Sequence, residues 1–136
     1  MSTLQLSNIQ DTSGNNNSTP AEIGKGRIKA WVSFSGDDTD ISAGMTAYNV
    51  STLTDHGDGD YSINFTNNMT NANYGFVGTA GRTDGSSSAI FNVEPRANSG
   101  DERATNTFRF EVVYVTSTAN RTNWNPAIIY VCVFGD

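Results

Sequence analysis

The chain has 136 residues, 36% of them hydrophobic and 16% charged, a formal net charge of −6, and Lys25 and Lys29 as its lysines. That length suits one domain with a core of its own. The lack of clustered cations excludes a nucleic-acid partner, and no apolar run approaches the ~18 residues of a membrane span. Its polarity is mostly uncharged: 16 Asn, 16 Thr and 14 Ser suit pleated surfaces and turns rather than a disordered polyelectrolyte.

Met1 to Gln10 has no basic stretch followed by an apolar segment, so no secretory signal is expected and synthesis in a cytoplasm is the simplest inference. Leu4, Leu6 and Ile9 are the apolar side chains of a short extended arm, and Asp11 to Ser18 is a turn-rich connector with nothing to bury. An arm packed on its own domain and an arm docked into another protein are both open. Thr19-Pro20-Ala21-Glu22 then spells a capping box, with Thr19 as N-cap, Pro20 at the first helical position and Glu22 reaching back to the N-cap amide. Gly24 and Gly26 follow at once and predict little more than one turn. Residues 1–26 are thus arm, linker and short helix, and residues 27–136 the folded domain.

From Arg27 onward a period of two takes over. Ile28, Ala30, Val32 and Phe34 alternate with Arg27, Lys29, Trp31 and Ser33, the pattern of a half-buried strand. Strands are predicted at 27–34, 46–54, 60–66, 73–80, 88–94, 105–115 and 127–135. Asp55-His56-Gly57-Asp58-Gly59-Asp60 predicts a hairpin with a longer loop; it lacks the spacing of a helix–loop–helix calcium site. Phe108, Phe110, Val112 and Tyr114 alternate against Thr107, Arg109, Glu111 and Val113, which puts Glu111 at the solvent.

The last strand is apolar on both faces, so one face should meet its own core and the other a second sheet or subunit. Ile129, Val131 and Val133 are the candidate oligomer-interface residues. Cys132, the single cysteine, excludes an intrachain disulfide and is expected to be a small buried hydrophobe. Short strands at this spacing, with no internal repeat, predict an all-β fold: a single antiparallel β-sandwich with a short extended N-terminal arm.

No Gly-x-Ser-x-Gly elbow and no phosphate loop occurs, and His56 is the sole histidine. The carboxylates show no local signature of an acid/base pair, so neither an enzyme nor a cofactor or metal is expected. Trp124, within Asn120-Arg121-Thr122-Asn123-Trp124-Asn125-Pro126, is the better lead. A ring flanked by amides and a guanidinium can stack on a sugar face while the amides bind its hydroxyls; alternatively the ring folds back to plug the sandwich. Arg121, Asn123 and Trp124, with Arg82 and Asp84 as neighbours, are the candidate contacts to a neutral or weakly charged glycan.

Four stretches carry a resemblance: Leu6 to Asn15; Lys29-Ala30-Trp31-Val32-Ser33-Phe34; Tyr48-Asn49-Val50-Ser51 through Asp55–Tyr61 to Asn64-Phe65; and Asn71-Ala72-Asn73-Tyr74 with the terminal Val133-Phe134-Gly135-Asp136. Together they resemble tail-fibre-like virion structural proteins of tailed bacteriophages, marine ones especially. Where that family commonly has Asn, this chain has Ser33. The resemblance implies a location in the virion with other virion proteins as partners, and the short apolar arm then makes Leu4, Leu6 and Ile9 the expected attachment residues. In that setting the doubly apolar last strand is expected to pack copies together as a homotrimer, and the polar loops to contact a host-surface glycan. Family members often end longer fibre chains, which keeps a head-decoration protein open, and a free carbohydrate-binding module is the other alternative.

Overall fold

Two antiparallel sheets face one another across a shared aromatic core, so the chain is an all-β sandwich. The structure, a computed structural model, describes residues 5–14, 17–38, 40–82, 90–96, 102–115 and 121–135. In chain order its elements are α1 (Pro20–Gly26), β1 (Ile28–Phe34), β2 (Thr46–Tyr48), β3 (Val50–Gly57), β4 (Asp60–Phe65), β5 (Gly75–Gly81), β6 (Ile90–Pro95), β7 (Thr107–Val115), β8 (Arg121–Asn123) and β9 (Ile128–Phe134). One sheet, centred on β9, runs β2-β1-β9-β5; the other, centred on β7, runs β3-β4-β7-β6, with β8 also paired to β7. Among the described residues no helix is long and apolar enough to cross a membrane.

The inward rows are largely those that period-two alternation selects; Ile28, read into the inward row of β1, is instead 53% exposed because the strand bulges between Ile28 and Ala30. Ala30, Val32 and Phe34 of β1 meet Ile63, Phe108, Phe110 and Val112 from the opposite sheet, all buried. Phe34 and Tyr61 pack edge to face with ring centroids 4.9 Å apart, and Phe108 and Phe110 lie 5.6 Å apart. Such pairs each add about 0.5–1.5 kcal/mol beyond the area they bury. Gly78 of β5 lets the sheets approach at one seam: a Cβ there would lie 2.6 Å from Cγ1 of Val93 in β6.

Three predicted elements differ in the structure, and β8 is not among those predicted. The strand predicted over 46–54 is two, because Asn49 adopts φ 55 and turns the chain from one sheet into the other. Asn tolerates that left-handed conformation better than most residues. Its side chain fixes the corner: Nδ2 donates to Lys29 O (2.9 Å) and Asn67 O (3.1 Å), while Oδ1 accepts from Asn67 N (2.7 Å).

The hairpin after β3 is tight rather than long. β3 continues through His56 to Gly57, and Asp58-Gly59 alone makes the turn. Gly57 (φ 128) and Gly59 (φ 64) supply the backbone conformations that it needs. Asp55 Oδ1 accepts from Gly57 N at 2.8 Å.

The helix is longer than predicted, with seven residues. Thr19 Oγ1 accepts from Glu22 N (3.2 Å) and Thr19 N donates to Glu22 Oε2 (2.7 Å), so the capping box forms as spelled. Those bonds hold the Glu22 carboxyl below the ordinary carboxylate range, the backbone bond from Thr19 most of all. With its first amides satisfied, the helix runs through Gly24, whose intrinsic cost is only about 1 kcal/mol.

Candidate functional site

Trp124 stands at one end of the sandwich, 45% exposed, where β8 leads toward β9. Its position is set from the backbone: Trp124 N donates to Val112 O (3.1 Å), and Val112 N donates to Gly59 O (2.7 Å). The next residue locks the loop to the hairpin. Asn125 Oδ1 accepts from Gly59 N (2.6 Å) and from the buried Tyr61 hydroxyl (2.8 Å), and Asn125 Nδ2 donates to Asp58 Oδ1 (3.2 Å). Burial, reinforced by Asp55, Asp58 and Asp37, pushes the Tyr61 phenol well above its ordinary range. It therefore remains a donor to Asn125 at neutral pH.

Three of the predicted glycan contacts, Arg82, Asn123 and Trp124, meet here. The Arg82 guanidinium carbon lies 5.9 Å from the Trp124 ring centroid, and the indole is 6.4 Å from Tyr114. Arg82, Phe91, Tyr114 and Trp124 line a cavity of ≈70 Å³; on its other side Trp124 joins Asp58, Asn123 and Asn125 around a cleft of ≈240 Å³. The ring is thus half plug and half wall. Asp84 lies outside the described residues.

Arg121 does not share this task. Its guanidinium turns to the outer face of the β7 sheet, donates to Glu111 Oε2 (2.6 Å) and pairs with Glu94. There it joins a network in which Arg109 grips Asp60 with two 2.8 Å hydrogen bonds. Arg96 Nε reaches Asp60 Oδ2 (3.1 Å) and Glu111 Oε1 (3.2 Å). Glu111, expected at the solvent, is 5% exposed because these arginines cover it. The alternation placed it correctly on the outer face; only the covering side chains were illegible.

The outer face of β9 and β5 is different: it carries no charged side chain, whereas β1 beside them carries Lys29. Trp31, Cys132 and Val77 are aligned across β1, β9 and β5, and Ser33, Tyr130 and Thr79 form the next row. Tyr48, opposite Trp31, extends the first row onto β2. Tyr48, Val77, Tyr130 and Phe134 are exposed. Ile129, Val131 and Val133, the candidate interface residues, are 0–1% exposed and belong to the domain's own core. Their alternates Tyr130, Cys132 and Phe134 hold the outward row, so a neighbour would meet those instead. Cys132 is accordingly half-buried on the outer face, not a core residue.

The N-terminal segment leaves its apolar groups uncovered. Leu6 is 49%, Ile9 51% and Ile23 38% exposed, and α1 buries none of its residues. Ile9 pairs with Ser18 in an isolated bridge that folds the connector on itself, with mutual N–H···O bonds of 2.8 Å. Of the two fates open for the arm, packing on its own domain is not the one adopted by residues 5–14. Leu4 lies outside the described residues.

The sequence reading overlooked a groove beside β1 and β2, lined by Arg27, Lys29, Trp31 and Tyr48 among others. Its signal was present: the outward positions of the first strand read cation, cation, aromatic. No family model matches the chain, and no curated protein and no solved structure matches it either.

Proposed function

We propose that this protein is a bacteriophage virion structural component, a tail-fibre-like appendage anchored by its N-terminal arm. The observation that carries the reading is the uncovered arm. Leu6, Ile9 and Ile23 project from a sandwich whose own core is already filled. The resemblance of Leu6 to Asn15 and of the β1 and β3–β4 stretches to tail-fibre-like proteins supplies the setting. In this reading the arm docks into another virion protein. The β9–β5 half of the uncharged face, with Val77, Tyr130 and Phe134, packs against further copies as a closed trimer, since a closed ring leaves no open patch to polymerise. The Trp124 end, with Arg82 beside it, faces outward and contacts a host-surface glycan.

Lateral packing through an uncharged sheet face suits a head-decoration protein as well, and copy number separates the two. Mass spectrometry of purified particles should find the protein at a few to some tens of copies each. Hundreds of copies would move it to the head, and absence from the particles would remove both readings.

A further inference from the structure

We propose that the groove beside β1 and β2 binds an acidic saccharide, a sugar chain carrying carboxylates. The groove measures ≈460 Å³, within the size range of small-ligand sites. Trp31 and Tyr48 stand directly opposite one another along one wall. Arg27 and Lys29 line it too, and among the described residues no carboxylate does. This matters in a chain of net charge −6. The other face's arginines, Arg96, Arg109 and Arg121, are neutralised by Asp60, Glu94, Glu102 and Glu111. Arg27 and Lys29 have no ion-pair partner among the described residues, so the groove is a local positive site on a negative molecule.

Each lining group matches one feature of such a ligand. The Arg27 fork takes a carboxylate in two parallel hydrogen bonds, and Lys29 adds a point charge. The apolar face of a pyranose ring stacks on Trp31 or Tyr48, and the Tyr48 hydroxyl and Asn68 amide meet its hydroxyls. The far wall is held in advance, since Asn49 ties Asn67 to the backbone of Lys29. A wall ordered before binding lowers the cost of binding. Nucleic acid also combines rings with negative charge, but it presents a charge every ~1.7 Å of duplex, too dense for two cations on a negative protein. A chain with one carboxylate per sugar suits the groove better.

Calorimetry on the full-length protein tests this, with a short oligogalacturonate as probe and a malto-oligosaccharide and a dinucleotide as comparisons. The oligogalacturonate should bind, added salt should weaken it, and the neutral sugar should bind at least about tenfold more weakly. The double variant Arg27→Gln/Lys29→Gln, both on the surface, should stay folded by circular dichroism and lose at least about tenfold in affinity. Tyr48→Ala, at an exposed position, should weaken binding of the same probe. The proposal is overturned by no binding at millimolar probe, by undiminished binding in the double variant, or by tighter binding of the dinucleotide. The assay uses isolated protein, so its outcome is independent of whether the chain enters particles.

Discussion

Asp60 and Glu111 stand directly opposite one another on β4 and β7, and both are nearly excluded from solvent. Two like charges so placed repel, and Glu94 sits opposite Glu111 on the other side. The row survives because Arg96 bridges Asp60 and Glu111 while Arg109 and Arg121 grip the flanks. Arg96→Ala should therefore cost about 3 kcal/mol, read as a lower urea midpoint with an unchanged slope. Adding Glu111→Gln to that variant should recover part of the loss, because one of the two facing charges is gone.

The same network sets the acid limb of stability. Burial alone would raise the Asp60 carboxyl, but the hydrogen bonds and charge of Arg109, with Arg96 beyond, outweigh it and hold it below the ordinary range. A carboxyl lower in the folded than in the unfolded chain stabilises above the unfolded value of about 4, and the contribution fades as pH falls through the folded one. Asp60→Asn should flatten the dependence of the melting temperature on pH in the acid range.

Tyr61 acts at the opposite limb. Its phenol is raised by burial, so it contributes stability below the unfolded value of about 10 and loses it as pH climbs above that. Tyr61→Phe should remove this alkaline sensitivity at a neutral-pH cost of about 1 kcal/mol.

Asn125 and its neighbour Trp124 should separate in their effects. Asn125→Ala strands the buried Tyr61 hydroxyl and the Gly59 amide and should cost about 1–3 kcal/mol. Trp124→Ala removes a half-exposed ring and its Arg82 contact, worth about 0.5–1 kcal/mol, so the domain should stay folded. Loss of host-cell adsorption in that folded variant would mark the ring as a contact. Unfolding would mark it as a plug.

Period-two alternation located six of the predicted strands, including β7 and β9, because a half-buried strand writes its inward row in plain hydrophobic residues. It could not say which row of β9 faces inward, since Ile129, Val131 and Val133 are no more apolar than Ile128, Tyr130 and Phe134. Only the partner sheet decides that. β8 was missed because Arg121-Thr122-Asn123 has no periodicity and owes its extension to pairing with Val113–Val115. Asn49 breaks a strand through long-range bonds to Lys29 and Asn67 that no local window contains. At the candidate sites, proximity in sequence misled for Arg121, which is claimed by Glu94 and Glu111, whereas Arg82, distant in sequence, does meet Trp124 as expected.

The two rows of β9 can be told apart by charge insertion. Val131→Asp places an unpaired carboxylate in the core and should abolish folding. Tyr130→Asp, on the exposed outer row, should leave the fold intact and convert an oligomer to a monomer in sedimentation. A wild-type protein that is already monomeric at tens of micromolar would contradict self-association through this face.

Deleting residues 1–18 tests the attachment role most directly. Leu4, Leu6 and Ile9 offer ~1.5–3 kcal/mol each if fully buried on a partner, while Leu6 and Ile9 lie exposed on the isolated chain. The truncated protein should melt within a degree or two of the full-length chain and be missing from purified particles. Normal incorporation of the truncated protein would contradict the arm as anchor.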